Sequence, residues 1–345
     1  MRRVFLVMLL VVMSCTPRGS GGPLPRLNIA PGSLTMSGVS AGGYMATQYQ
    51  VAFSSEVAGA GVIAAGPWFC AQGLITRALD DCLEGSTGGP DDVMLAATLR
   101  ASALAGVVDD PGGLAADRIW IFHGANDDVV GAAVSDSLLR FYRNFVPPEQ
   151  IRYETQIPAG HGFPTLDEGI ACEATEPPYL NDCDYDAAGE MLRFLYGELR
   201  EPDAAIEGTL VRFGQGRYVA GGRLASIEDD GFLFVPKDCA AGAPCRLHVA
   251  FHGCEQGRGF VDERFARHAG YSRWADDNGI VVLYPQVAKS LAWPLNPKGC
   301  WDWWGYTGAD YAARSSAQLS AVRRMVEALG APIVRRQAAV PTASR

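Results

Sequence analysis

One serine near the N-terminus stands in a pattern that could make it a nucleophile. Residues 38–42 read Gly-Val-Ser-Ala-Gly, the G-x-S-x-G form in which a serine hydroxyl stands on a sharp strand-to-helix turn. The apolar run 33–36 predicts a buried strand before Ser40, and the glycine-free run 44–53 predicts a helix after it. Because the chain contains 40 glycines, the pattern can also arise by chance. Whether Ser40 is a nucleophile therefore depends on whether the rest of the sequence offers it a base and an acid.

A serine hydroxyl needs a base, and the base needs an orienting acid. Of the five histidines, His161 lies in a glycine-lined loop after a predicted strand, where a base can reach a nucleophile at the sheet edge. Residues 123–127 read His-Gly-Ala-Asn-Asp and follow another predicted strand. We predict Asp127 as the acid, with Asp128 as the alternative. The order Ser40, Asp127, His161 is that of α/β-hydrolases. The alternative for His161 is a histidine of a surface loop with no catalytic role.

The oxyanion that forms during acyl transfer needs two backbone N–H donors. The N–H of Ala41, directly after the candidate nucleophile, is one of them. The second normally comes from a His-Gly loop on a strand before the serine, but the sequence before Ser40 contains none. A His-Gly-Cys turn occurs instead at 252–254, and we predict the N–H of Cys254 as the second donor. This order predicts a circularly permuted fold; the alternative is that the turn merely ends a core strand.

The elements that could position these residues are predicted strands and helices that alternate along the chain. This alternation predicts an α/β fold with a mostly parallel central sheet and helices on both faces. The further predicted strands are 57–65, 118–122, 151–157, 209–213, 231–235, 246–251 and 279–284. The further predicted helices are 132–144, 187–199, 260–277 and 309–329, and 71–117 is irregular with some helix. No confident boundary divides the sequence, so we predict a single α/β-hydrolase catalytic domain over 27–331.

The N-terminus predicts export. Two arginines precede an apolar run, 4–13, that is too short to span a membrane, so we predict a signal peptide over 1–14. The sequence Val-Met-Ser-Cys resembles the lipobox of bacterial lipoproteins and predicts a lipid on Cys15; ordinary secretory cleavage nearby is the alternative. The Pro-, Gly- and Ser-rich stretch 15–26 predicts a flexible tether, and 332–345 a disordered tail. A net charge of −9 argues against a nucleic-acid partner.

The eight cysteines after Cys15 form an even set suited to an oxidising compartment. Their spacing suggests three local disulfides and leaves two cysteines for each other: Cys70–Cys82, Cys172–Cys183, Cys239–Cys245, and Cys254 with Cys300. A zinc site is the competing interpretation, but the sequence has no C-x-x-C pair and no nearby histidine pair. We therefore expect no metal.

With its permuted order, the chain resembles the polyhydroxybutyrate (PHB) depolymerases whose serine box lies near the N-terminus. The resemblance covers roughly residues 30–330, and its matching stretches are SGVSAGGYMA (37–46), GHGFPT (160–165), FHGC (251–254) and NPKGCWDWWGY (296–306). The last stretch is the most specific. In this family the cysteine of the oxyanion loop is bonded to the one before the tryptophan run, which implies Cys254–Cys300.

The resemblance implies a serine esterase that cleaves poly(3-hydroxybutyrate) or a related polyhydroxyalkanoate to monomer and short oligomers through an acyl-enzyme. It implies Ser40 as nucleophile, His161 as base, Asp127 as its orienting acid, and no cofactor. A carboxylesterase of the feruloyl or acetylxylan type is the alternative, and a lipid-anchored binding protein without activity is a third interpretation. We expect a monomer that acts on a polyester or oligoester and touches a membrane only through an N-terminal lipid, either anchored at the cell envelope or secreted.

Four of the seven tryptophans fall between residues 293 and 304. An aromatic wall near the serine would suit a chain of methyl-bearing esters. We expect Trp303 or Trp304 to line the acyl pocket; core packing around the disulfide is the alternative for each ring.

Overall fold

An eight-stranded sheet runs through the protein, which the computed structural model describes over residues 21–203, 205–220 and 222–332. Its strands are β1 (Ile29–Val39), β2 (Gly59–Ile63), β3 (Arg118–Phe122), β4 (Ile151–Glu154), β8 (Thr209–Gly214), β9 (Asp230–Val235), β10 (Cys245–Phe251) and β11 (Ile280–Tyr284). Three short strands, β5 (Phe163–Thr165), β6 (Ile170–Ala171) and β7 (Leu180–Asp182), form a separate small sheet. The order in the large sheet is β4-β3-β2-β1-β10-β11-β9-β8.

Helices cover both faces of this sheet, as predicted. They are α1 (Ala41–Ala52), α2 (Ile75–Leu79), α3 (Asp92–Leu104), α4 (Ala132–Tyr142), α5 (Ala187–Tyr196), α6 (Lys237–Ala240), α7 (Arg258–Val261), α8 (Arg264–His268), α9 (Tyr271–Asp277) and α10 (Ala317–Ala328). On one face, the Tyr142 hydroxyl of α4 donates to Gln50 of α1 at 2.7 Å. On the other face, Ser37 of β1 contacts the hydroxyl of Tyr271 of α9 at 2.6 Å.

The sheet brings the serine strand and the His-Gly strand side by side. β1 runs parallel to β10, with Gly38 opposite Phe251, and parallel to β2, with Val39 opposite Ile63. β10 pairs in parallel with β11, whereas β9 pairs antiparallel with both of its neighbours, β11 and β8. Because parallel strands end at the same sheet edge, the turns that follow β1 and β10 emerge together despite their separation in sequence.

The segment before β1 lies beside the end of α10, as the permutation predicts. The N–H of Leu27, two residues before β1, donates to the carbonyl oxygen of Leu329, one residue after α10, at 2.8 Å. The last helix therefore ends where an unpermuted chain would lead into the serine strand.

Two predicted helices are wrong in extent. The helix predicted over 260–277 is interrupted at Asp262 and Gly270, whose φ angles of 53° and 84° lie in the left-handed region that a right-handed helix does not use. It is therefore three short helices, α7 to α9. The helix predicted over 309–329 begins only at Ala317, because the Ser316 hydroxyl caps its first turn by accepting from the Leu319 N–H.

Several strand ends also differ. The strand predicted over 151–157 stops at Glu154 and that over 57–65 spans only Gly59–Ile63, because pairing with their neighbours ends there. The helix after Ser40 begins at Ala41 rather than at residue 44, so Gly42 and Gly43 are helical.

The part of the predicted tether that the structure describes, 21–26, lies against the sheet. The N–H of Gly21 donates to the Asp230 carboxylate at 3.0 Å, and the N–H of Leu24 donates to the Tyr218 hydroxyl at 2.9 Å. Leu24 is buried, which holds this segment in place. The predicted signal peptide, Cys15 and residues 333–345 of the predicted tail lie outside the described residues, and the bounds 27–331 remain a prediction.

The structure contains the four disulfides that the spacing predicts: Cys70–Cys82, Cys172–Cys183, Cys239–Cys245 and Cys254–Cys300. Three of them join loops or short elements outside the large sheet, and Cys239–Cys245 ties α6 to the first residue of β10. Within the described part of the chain, no helix is both long enough and apolar enough to cross a membrane.

Candidate active site

Ser40 occupies a strained turn between β1 and α1. Its φ of 56° and ψ of −124° lie outside the regions favoured by non-glycine residues, and its N–H donates to the Ile63 carbonyl at 2.9 Å. A Cβ on Gly38 would lie 2.3 Å from the Gly42 carbonyl carbon, and one on Gly42 would lie 2.3 Å from the Phe251 carbonyl oxygen. Both glycines are thus required by close backbone approach, as the G-x-S-x-G interpretation implies.

His161 and Asp127 form a buried pair. The His161 Nδ1 lies 2.9 Å from Asp127 Oδ2, while Oδ1 of the same carboxylate accepts the N–H groups of Val129 and Val130, each at 2.9 Å. The Asp127 side chain is only 1% exposed. Burial acts to raise the pKa of Asp127, but the His161 hydrogen bond and the two backbone donors outweigh it and hold the pKa below its ordinary value. Asp128 is exposed, so the structure selects Asp127 as the partner of His161.

A loop that the sequence analysis did not assign fixes the position of His161. The N–H of His161 donates to Thr175 Oγ1 at 2.9 Å, and the Gly160 N–H donates to the Cys172 carbonyl at 2.8 Å. The side-chain amide of Asn181 donates to the carbonyls of Cys172 and Ala174 at 2.8 and 2.7 Å. The Cys172–Cys183 disulfide closes this loop, which explains why two cysteines follow the histidine so closely.

The His-Gly turn lies beside Ser40. A Cβ on Gly253 would lie 3.5 Å from the Ser40 Cβ, and Cys254, bonded to Cys300, lines the same cavity as Ser40 and His161. Ala41 stands at the start of α1, where the first N–H groups have no intrahelical acceptor. The candidate donors of Ala41 and Cys254 are therefore brought to one cavity from opposite halves of the chain.

This cavity has a volume of about 350 Å³ and is lined mainly by apolar side chains. One wall comes from α2 and the turn after it, through Ile75, Leu79 and Leu83. The Tyr44 hydroxyl donates to the Cys82 carbonyl, which ties this wall to α1. In the sequence, the one signal of this wall is the Cys70–Cys82 pair, which closes the segment.

Both tryptophans chosen from the sequence line the cavity. The Trp303 ring stacks on Tyr44 with 4.9 Å between centroids, and Trp304 meets Trp303 edge to face at 5.3 Å. The Asp302 carboxylate shapes their loop by accepting the N–H groups of Gly305, Tyr306 and Thr307 at 2.6, 3.0 and 2.8 Å. Burial raises the pKa of Asp302 above its ordinary value, although these hydrogen bonds act to lower it.

The site combines a hydroxyl on a strained turn, a histidine–carboxylate pair, two backbone donors and an apolar cavity. This arrangement can transfer an acyl group from an uncharged ester to water. In the described ranges, no group of three or more His, Cys, Asp or Glu side chains is placed to hold a metal ion.

Comparison with known proteins gives consistent matches, although no protein-family model matches the chain. The chain is 40% identical over 309 residues to a poly(3-hydroxybutyrate) depolymerase of Delftia acidovorans, covering 88% of this chain but only 61% of that relative's length. It is 34% identical over 317 residues to a polyhydroxybutyrate depolymerase of Talaromyces funiculosus, covering 87% of this chain and 90% of the relative.

Solved structures agree with these relatives. The crystal structure of the PHB depolymerase from Penicillium funiculosum superimposes with a TM-score of 0.82 at 32% identity, covering 89% of this chain and 99% of that one. A serine-to-alanine PHB depolymerase in complex with an R3HB trimer superimposes with a TM-score of 0.83 at 31% identity and the same coverage.

Proposed function

The chain belongs to the polyhydroxybutyrate depolymerase family, and we propose that it hydrolyses the ester bonds of poly(3-hydroxybutyrate) or a related polyhydroxyalkanoate to monomer and short oligomers. One observation carries this proposal most directly. Ser40, His161 (paired with Asp127) and Cys254 line one mainly apolar cavity, as a nucleophile, a base and an oxyanion donor must.

The proposed mechanism assigns one role to each group. The Ser40 hydroxyl attacks the ester carbonyl, and His161 takes its proton while Asp127 holds the opposite ring nitrogen. The N–H groups of Ala41 and Cys254 bind the oxyanion, and the protonated His161 then gives its proton to the leaving alcohol oxygen. In the second half, His161 activates a water that attacks the acyl-enzyme, which releases the acid and restores the Ser40 hydroxyl.

The shape and polarity of the cavity fit a polyester better than a charged substrate. A chain of 3-hydroxybutyrate units is uncharged along its length and bears methyl groups, which can pack against aromatic rings. We propose that Trp303 and Trp304 make these contacts, because both rings line the cavity. Two oppositely charged side chains at the cavity form an ion pair, with Lys298 Nζ 3.2 Å from Glu255 Oε2, so they neutralise each other. The related depolymerase in complex with an R3HB trimer supports an oligoester as the substrate of this chain.

The test is hydrolysis of amorphous poly(3-hydroxybutyrate) film by the purified chain, with the products identified by mass spectrometry. We expect 3-hydroxybutyrate and short oligomers, and a loss of about 10⁵-fold or more in kcat in Ser40→Ala. The exposed Ser315→Ala is the matched control and should retain full activity. Retained hydrolysis in Ser40→Ala would refute the mechanism, and an inactive wild type would refute the substrate.

The alternative carboxylesterase of the feruloyl or acetylxylan type is not favoured, because the relatives reported above are depolymerases. Release of ferulate or acetate from xylan esters, at rates above those on the polyester, would reverse this preference.

Four disulfides are typical of proteins that mature in an oxidising compartment, which supports export of the chain. We further propose lipidation of Cys15 and a monomeric enzyme. Labelling of cells with a radioactive fatty acid tests the lipid: label should appear on the wild type and disappear in Cys15→Ser, and an unlabelled wild type rules the lipid out. Light scattering of the purified protein tests the monomer.

A further inference from the structure

The peptide unit between Gly253 and Cys254 is held by a buried histidine that the mechanism above does not use. This unit carries the Cys254 N–H at one end and the Gly253 carbonyl oxygen at the other. The Nδ1 of His252 lies 2.7 Å from that carbonyl oxygen. Because a carbonyl oxygen can only accept a hydrogen bond, the imidazole is the donor and carries its proton on Nδ1.

Further contacts fix the ring. The Val287 N–H donates to His252 Nε2 at 3.3 Å, which requires that nitrogen to be unprotonated. The His252 side chain is fully buried and packs against Trp301 with 5.7 Å between ring centroids. A Cβ on Gly257 would lie 2.6 Å from the imidazole, so the backbone passes close to the ring on this side as well. The imidazole is therefore held neutral, in one tautomer and one orientation.

Gln256 occupies the other N–H of the turn. The Gly253 N–H donates to Gln256 Oε1 at 2.8 Å, and Gln256 Nε2 donates to the Tyr179 carbonyl at 2.9 Å. Among the described residues, no acceptor contacts the Cys254 N–H. Of the two successive N–H groups, one is already bonded and the other is left for a ligand of the cavity.

We propose that His252 is a positioning residue that aims the Cys254 N–H at the substrate oxyanion by holding the Gly253 carbonyl oxygen, with Gln256 as a second support. In a trans peptide the C=O and N–H bonds point in opposite directions, so fixing the oxygen fixes the donor. The hydrogen bond accepted by the carbonyl also polarises the peptide and strengthens its N–H as a donor. His252 does not line the cavity and acts only through this peptide. The inference rests on the proposed function, since it requires an oxyanion formed from an ester.

Two variants of His252 separate the effect of its hydrogen bond to the Gly253 carbonyl oxygen from the effect of its packing. His252→Asn keeps an N–H near the position of Nδ1, whereas His252→Leu removes it. The substrates are p-nitrophenyl butyrate and its thionoester, in which sulfur replaces the carbonyl oxygen and accepts hydrogen bonds only weakly. We expect His252→Leu to lower kcat on the ester about 10²-fold, as for loss of one oxyanion donor, with KM within about threefold. The rate on the thionoester should fall far less, and His252→Asn should restore most of the ester rate.

Equal losses in the two variants, or equal losses on ester and thionoester, would overturn the inference, because a merely structural histidine would affect both substrates alike. If His252→Leu does not fold, Gln256→Met provides the second test, since it keeps the side-chain length but lacks the acceptor for the Gly253 N–H. An unchanged ester-to-thionoester ratio in Gln256→Met would then overturn the inference, and a lowered ratio would support it. A wild type inactive on the ester would overturn the proposed function itself, which is a distinct result.

Discussion

Replacement of Asp127 by asparagine should disable the enzyme by changing the tautomer of His161. The two oxygens of Asp127 share their partners unequally: Oδ1 accepts the N–H groups of Val129 and Val130 and lies 3.2 Å from His161 Nδ1, whereas Oδ2 lies closer to that nitrogen, at 2.9 Å. In Asp127→Asn, the remaining oxygen should stay with the two backbone donors, because the flipped amide would leave both buried donors unpaired at a cost of about 2 kcal/mol or more. The amide NH₂ then faces His161 and donates to Nδ1.

An imidazole that accepts on Nδ1 carries its proton on Nε2 and cannot take the proton of Ser40. We expect kcat on p-nitrophenyl butyrate to fall about 10⁴-fold, as for the same change in other serine triads, which corresponds to about 5 kcal/mol of transition-state stabilisation. The exposed neighbour gives a matched control: Asp128→Asn should change kcat by less than about twofold. A loss below tenfold in Asp127→Asn, or an equal loss in Asp128→Asn, would refute the reasoning.

Three further predictions follow from packing and charge. Gly42→Ala should lower the free energy of unfolding in urea by about 3 kcal/mol or more, since its Cβ would meet backbone at 2.3 Å, whereas Gly22→Ala, with open space around it, should change it little; equal effects would contradict the close approach. Trp303→Ala should lower kcat/KM on polymer film about tenfold or more, and unchanged polymer turnover would remove this ring from the substrate site. Burial lowers the pKa of His248 to about 3 and of His252 to about 4. Below about pH 6.5 the unfolded chain therefore binds more protons than the folded one, so the free energy of unfolding should fall by up to about 2.7 kcal/mol per pH unit between pH 6 and 5; equal urea midpoints at pH 7 and 5 would contradict this.

Local chemistry in the sequence determined much of the fold and the centre of the site. Strand β3 occupies the predicted residues, 118–122. A short apolar run bounded by polar residues is too short for a typical helix and is typical of a buried strand. The turn at Ser40 could be predicted because the motif places glycine where neighbouring backbone leaves no room for a Cβ. Three of the disulfide pairs follow from short separations of 12, 11 and 6 residues, which favour local closure, and Cys254 and Cys300, 46 residues apart, are the two cysteines that these pairs leave.

Contacts between distant residues decided the rest. Asp127 and Asp128 are equivalent by type and differ by one position, and only the packed loop buries one carboxylate against His161 and leaves the other in water. The break at Gly270 is invisible to hydrophobic periodicity, since the apolar positions on either side continue a helical pattern.

The walls and supports of the cavity also required the folded chain. Ile75, on α2, and Trp303, in a loop, are far apart in sequence and line one pocket only because the fold brings these segments together. The role of His252 depends on the direction of one peptide bond, and that direction is set by partners at residues 256, 257 and 287. Residue types and their spacing are enough to show which groups can carry out acyl transfer. Tertiary packing decided which of them meet and how each is aimed, because burial and hydrogen-bond direction are properties of neighbours in space.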